Sequence, residues 1–217
     1  MKANSGRKRR TSNEVVLILS QDTGGVLQYL TQMFQNNSSE GGITVLVRGV
    51  GVSSKTMVQV ARASLAGSDT ADVPAAAYVF LVFDRDSDPH FDTVMAHVNA
   101  TERMEAIPSI PCFEYFFILH HEEIRPAMAG PGDALSLLRR YEGFSRYEKG
   151  KNSVPVAKLS DQTEEARARC QRIRAACAAD GAKGPLTLVD QLFSAMETAR
   201  AGGIAALIDS KPERLFR

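Results

Sequence analysis

The sequence predicts an α/β fold, a parallel-stranded sheet flanked by helices and continued by a helical C-terminal extension. Three observations carry this expectation. Short β-branched runs alternate with helical patterns over residues 14–125. One of those runs, Ala77-Tyr-Val-Phe-Leu-Val-Phe83, is apolar throughout, as a strand buried on both faces must be. Beyond residue 126 the remaining patterns are helical.

Taken in order, Glu14-Val-Val-Leu-Ile-Leu-Ser20 reads as the first strand, and Gln21-Asp-Thr-Gly-Gly25 as a loop leading to a helix over Val26–Phe34. Gly41-Gly42 precedes a second strand, Ile43–Val47, and Ser53 or Ser54 can cap a second helix that carries Met57, Val58, Val60 and Ala61 on its apolar side. The apolar third strand follows a polar loop. A third helix is expected from about Asp88 to Asn99, then a short strand near Glu105–Ile107. Cys112–His121 reads as a buried helix interrupted by the acid Glu114, and Pro126–Asp133 as a Pro/Gly linker. Helices are expected over Ala134–Tyr141, Ser160–Ala179 and Thr187–Arg200, the last ended by Gly202-Gly203. The organisation is therefore a basic tail over residues 1–13, a core over 14–125 and a helical extension over 126–217 packed on it.

Composition excludes several classes. No run approaches a membrane span, and the basic N-terminus has no apolar segment after it, which argues against a secretory signal. Cys112, Cys170 and Cys177 are wrongly spaced for a zinc site or a disulfide framework, and Cys170 and Cys177 fall at helical spacing beside apolar residues. Buried, reduced thiols of a cytoplasmic protein are expected. The net charge of +1 is silent about partners, although Lys2, Arg7, Lys8, Arg9 and Arg10 could add phosphate contacts or simply solubilise a disordered tail.

The chemistry concentrates where the third strand ends in Asp84-Arg-Asp86-Ser-Asp88. If the strand runs through Asp86, the carboxylates of Asp84 and Asp86 point the same way, and a divalent cation would offset their repulsion and desolvation. The competing reading is a set of solvated acids capping the helix near His90. An EF-hand is rejected, because Pro89 and Met95 stand where the loop needs Gly and Glu. A haloacid-dehalogenase phosphatase would carry its Asp pair after the first strand. Gly24-Gly25 lacks both the dinucleotide and the Walker patterns. His120-His121 is not part of HExxH, and one histidine at most can face inward. Glu114, set among Phe113, Tyr115, Phe116 and Phe117, needs either a metal or an ion-pair partner, for which Arg85 and Lys149 are candidates. Lys149 and Lys151 flank the Gly150 hinge.

Val82-Phe-Asp-Arg-Asp86 and Ser109-Ile-Pro-Cys-Phe-Glu-Tyr-Phe-Phe-Ile-Leu-His120, with Tyr147-Glu-Lys149 and Gly184-Pro-Leu-Thr-Leu-Val-Asp-Gln-Leu192, resemble the RloB-like family. The resemblance implies a Toprim-like fold, a role in restriction-type or anti-phage defence, and a metal-dependent nuclease acting on DNA or RNA, often beside an ABC-type ATPase. It implies Mg²⁺ or Mn²⁺ as cofactor, nucleic acid as partner and no membrane; a homo-oligomer is left open. Asp84 and Asp86 would be metal ligands and catalytic, with Gln21 and Asp22 in the metal-binding loop. Glu114 and Lys149 would be catalytic, and Arg85, His120 and Lys151 substrate-binding. The chain departs from the family pattern in that loop. Gln21 stands where a Glu is expected and Val26 where a further acid is expected, Ile110 replaces an Asn, and Phe116 replaces a Trp. A neutral amide can ligate a cation but can neither neutralise charge nor take a proton. A weakened nuclease, or a non-catalytic module binding nucleic acid or the ATPase, is the resulting pair of expectations.

Overall fold

The computed structural model describes residues 14–35, 42–68, 73–86, 88–151 and 154–210. The basic tail, residues 1–13, lies outside them. In chain order the elements are β1 (Glu14–Ser20), α1 (Gly25–Phe34), β2 (Ile43–Gly49), α2 (Ser54–Leu65), β3 (Tyr78–Asp84), α3 (Phe91–Asn99), β4 (Met104–Ile110) and α4 (Glu114–His121). They continue as α5 (Pro131–Leu138), α6 (Val156–Ser160), α7 (Thr163–Asp180), β5 (Leu186–Thr187) and α8 (Val189–Asp209).

The sheet has the order β2-β1-β3-β4-β5, with β1–β4 parallel and β5 antiparallel to β4. Both faces are buried, which explains why the central strands carry no polar stripe. In β1, Val16 and Ile18 join the core cluster that includes α1, α4, α7 and α8, while Leu17 and Leu19 pack with α2 and α3. The α/β class with flanking helices is thus present as expected from the patterning.

This order creates a switch point. From β1 the chain moves outward through α1 to β2, then crosses back through α2 on the opposite face to β3, on the other side of β1. The connections leave β1 and β3 in opposite directions, so a crevice opens beyond their carboxyl ends, the usual ligand position in such sheets.

Several local expectations are corrected. The third strand stops at Asp84 rather than running through Asp86. There the Arg85 amide donates to Ser109 O at 2.8 Å and the Asp86 amide to Pro111 O at 3.0 Å, while Asp86 takes a left-handed φ of 38°. Aspartate tolerates that conformation better than most residues. The third helix begins at Phe91, with the Asp88 carboxylate accepting the His90 amide at 2.9 Å before it. The helix after Pro111 begins at Glu114, and the stretch read as a linker already contains the first turn of α5. Leu186–Thr187 pairs with β4, where the Ser109 and Thr187 hydroxyls lie 2.7 Å apart, instead of opening a helix. At Gly202-Gly203 the helical path does break, as the glycine pair predicts, with Gly203 at φ 72°; a second helical segment then follows within α8, because Ile204 and Leu207 still have core to cover.

Candidate functional site

The crevice between β1 and β3 is a cleft of about 400 Å³. Among the described residues its lining holds four carboxylates, Asp22, Asp84, Asp86 and Asp88, and one cation, Lys149. Backbone and side-chain bonds tie the two strand ends together beneath it. The Gln21 amide N–H donates to Val82 O at 2.9 Å, and Gln21 Oε1 accepts the Asp84 N–H at 3.2 Å. Gln21 therefore bridges the two strand ends through its side chain. Asp22 turns its Oδ1 onto the N–H groups of Gly24 at 2.7 Å and Val26 at 3.1 Å, so it caps α1 and places an anion at the positive end of that helix.

Asp84 is the best-held carboxylate. Oδ1 accepts the Phe113 amide at 2.8 Å, and Oδ2 accepts from Lys149 Nζ at 2.6 Å. Burial pushes its pKa up to about 6, with Lys149 opposing the rise and Glu114 adding to it. Lys149 is the reciprocal case. Burial works against its ammonium, yet Asp84 and Glu114 hold its pKa above the ordinary lysine value. Asp86 is exposed on the turn, and Asp88 receives the hydroxyl of Ser54.

Lys149 reaches the cleft from a strap, residues 147–151, that lies across the α1 N-terminus. A Cβ on Gly24 would fall 2.1 Å from both the carbonyl carbon and oxygen of Gly150, and one on Gly25 would fall 2.7 Å from Val154 Cγ2. The glycine pair therefore permits close packing of backbone on backbone, and the strap covers the Gly24-Gly25 turn. Tyr147 anchors the strap, its hydroxyl donating to Glu114 Oε1 at 2.9 Å and its carbonyl accepting from Arg139 Nε at 3.0 Å. Tyr147, and not Arg85 or Lys149, is thus the hydrogen-bonding partner of Glu114. The other Glu114 oxygen, Oε2, is buried without a hydrogen-bond partner among the described residues, as is the Ser20 hydroxyl that lines the cleft.

The remaining sequence candidates lie elsewhere. His120 is 1% exposed in the aromatic core. Its Nδ1–H donates to Phe116 O at 2.9 Å, leaving Nε2 to accept the Tyr29 hydroxyl at 3.3 Å, and burial lowers its pKa to about 4. Of the two adjacent histidines, His120 is thus the one that faces inward, while His121 is half-buried. Arg85 points away from the cleft, with its guanidinium 5.3 Å from the Phe91 ring centroid. Lys151 is exposed and pairs with Glu148. Two residues outside the sequence candidates, Ser20 and the helix-capping Ser53, also line the cleft. Their positions at the carboxyl end of β1 and before α2 were the available signal, once the switch point was known.

A family model described as RloB-like protein matches residues 16–196. The chain belongs to the RloB-like family. No curated protein and no solved structure gives a significant match. The matched span of this RloB-like chain contains the described residues that line the cleft, from Ser20 to Lys149.

The implied divalent cation can be tested against these residues. Among the described residues, no group of three or more His, Cys, Asp or Glu is arranged to hold a metal ion. The donors are nevertheless the hard oxygens that Mg²⁺ prefers, and Mg²⁺ commonly uses one or two carboxylates completed by water and substrate oxygens. The excess of carboxylates over Lys149, and a Ser20 hydroxyl without a hydrogen-bond partner among the described residues, are compatible with a cation there. The residues fit an open site and not a closed cage.

Proposed function

We propose that this chain is a metal-dependent nuclease hydrolysing phosphodiesters at the cleft, weakened by Gln21 in place of a carboxylate. The observation that carries the reading is the excess of four aspartates over one lysine at the switch point, beside an unpartnered buried hydroxyl. A polyanion cannot approach such a lining until its charge is offset, so nucleic acid binding and cation binding are coupled here. Asp84 and Asp86 would hold Mg²⁺ or Mn²⁺, with Gln21, Asp22 and Ser20 near them. When bound, the cation supplies charge neutralisation at the transferring phosphoryl group.

The chain's own groups do the rest. Lys149 is placed to donate to a phosphate oxygen once its contact with Asp84 loosens, and the Tyr147–Glu114 bond fixes where that ammonium starts. Asp22 keeps the α1 N-terminus closed, so the substrate meets the side chains and not the helix amides. Gln21 orients the β3 end but can take no proton, which limits turnover. In this reading the protein acts in a Toprim-like defence nuclease beside an ABC-type ATPase, in the cytoplasm.

A second reading has its own support. The Lys149–Asp84 pair already supplies a cation to the best-held carboxylate, as expected of a non-catalytic module that binds nucleic acid or the ATPase. Calorimetric titration of Mg²⁺ and Mn²⁺, with Asp84→Asn/Asp86→Asn as control, separates the two. Saturable binding lost in the double variant supports the nuclease, as does plasmid, single-stranded DNA or RNA cleavage that increases in Gln21→Glu. Absence of aspartate-dependent binding sinks it.

A further inference from the structure

Across the 84–92 turn from the acidic cleft lies a second groove, of about 350 Å³, with the opposite character. Among the described residues, Arg85 and Lys183 outnumber Asp92, the one carboxylate on its lining, and Arg174 beside them is engaged by Asp190 in two 2.7 Å hydrogen bonds. The Arg85 guanidinium makes no hydrogen bond or ion pair among the described residues. It rests on the Phe91 ring with its donors open. Lys183 is exposed and likewise unpaired among them. Cys177, Ala178 and Leu186 form an apolar wall opposite.

We infer that this groove seats the phosphodiester backbone of a single-stranded nucleic acid flanking the segment held in the Asp84 cleft. The inference rests on the nuclease or nucleic-acid-binding reading of that cleft and adds the substrate class. The chain alternates charge across one turn, Asp84 and Asp86 to one side and Arg85 to the other. A strand whose reacting phosphate lies against four carboxylates needs an anion seat next to them, and Arg85 supplies it by direct adjacency in the chain. A guanidinium stays charged and presents a planar fork suited to phosphate oxygens. The apolar wall accepts a ribose or an unpaired base, whereas a duplex, with its bases turned inward, would gain nothing from a pocket of this size.

The test is fluorescence anisotropy of labelled single-stranded oligodeoxynucleotide, the matching oligoribonucleotide and a duplex control. Each is titrated in Ca²⁺ and in EDTA at several salt concentrations. Lys183→Ala, on an exposed residue, guards against a folding defect in Arg85→Ala. Each variant is expected to weaken single-strand binding roughly tenfold, as for loss of one charge-assisted hydrogen bond. Each should also lower the slope of log K against log salt by about 0.7, the single-strand value per phosphate contact. Unchanged affinity and slope in both variants, while Asp84→Asn/Asp86→Asn abolishes the Ca²⁺ effect, overturns the groove and leaves the cleft reading intact. Altered slopes with no Ca²⁺ effect uphold the groove and overturn the metal-dependent cleft. Tighter binding of the duplex, or no binding by the unaltered protein, overturns the groove; the latter removes the cleft reading as well.

Discussion

Lys149→Met tests whether the strap is held to the sheet by a partly buried charge pair. Lys149 Nζ lies 2.6 Å from Asp84 Oδ2, with the side chains 33% and 17% exposed. An exposed pair contributes about 0–1 kcal/mol, whereas removing one partner of a buried pair costs about 3–5 kcal/mol. Solvent reaches this pair from the lysine side, so a loss of about 2 kcal/mol is expected at pH 8. Methionine keeps the aliphatic length, so the loss reports charge more than packing. The pH dependence gives the sharper signature. Burial already raises Asp84 to about 6, and removing Lys149, which opposes that rise, moves it higher. A group whose folded pKa lies above its unfolded value binds the extra proton in the folded state. The variant's deficit is therefore absent where Asp84 is protonated in both proteins, below about pH 4. It grows as pH rises through 6 and levels off above the variant's own Asp84 pKa. Urea denaturation of both proteins from pH 4 to pH 8 reads this directly. A deficit of equal size at pH 4 and pH 8, or no deficit at either, would refute the charge-pair argument.

Two further predictions probe the surroundings of the cleft. Gly24→Ala places a methyl 2.1 Å from the Gly150 carbonyl group, so the strap must lift, with destabilisation of about 1–3 kcal/mol. Faster trypsin cleavage at Lys149 and Lys151 should accompany it, and an unchanged cleavage rate would show that the strap does not pack there. His120, lowered to about 4, is neutral in the folded protein. Its unfolded form gains a proton first on acidification, so stability is lost as pH falls from about 6.5 toward 4, by up to about 3 kcal/mol. A chemical-shift titration that finds His120 protonating near its ordinary pKa would contradict its burial.

Much of this protein was legible in the residue pattern, because burial is written locally. The unbroken apolar run of β3 predicts a strand covered on both sides, and the helical spacing of Cys170 and Cys177 predicts a buried face of α7. Asp84 is conspicuous in the sequence for the same reason, a charge ending a segment that water does not reach. Other features depend on partners distant in sequence, which no local pattern encodes. Strand β5 exists because two residues near position 186 meet the edge of β4. Glu114 accepts from Tyr147 at one oxygen, and Lys149 contacts Asp84, only because the strap folds back over Gly24, which also explains the glycine pair. His120 and His121 are adjacent in sequence, and only the direction of α4 against the aromatic core decides which one is buried. Aspartates and their place at the end of a buried strand are thus matters of sequence. Which of them share a cleft, and with which lysine, follows from the order of the strands, because a crossover that reverses direction at β1 opens the crevice in which they meet.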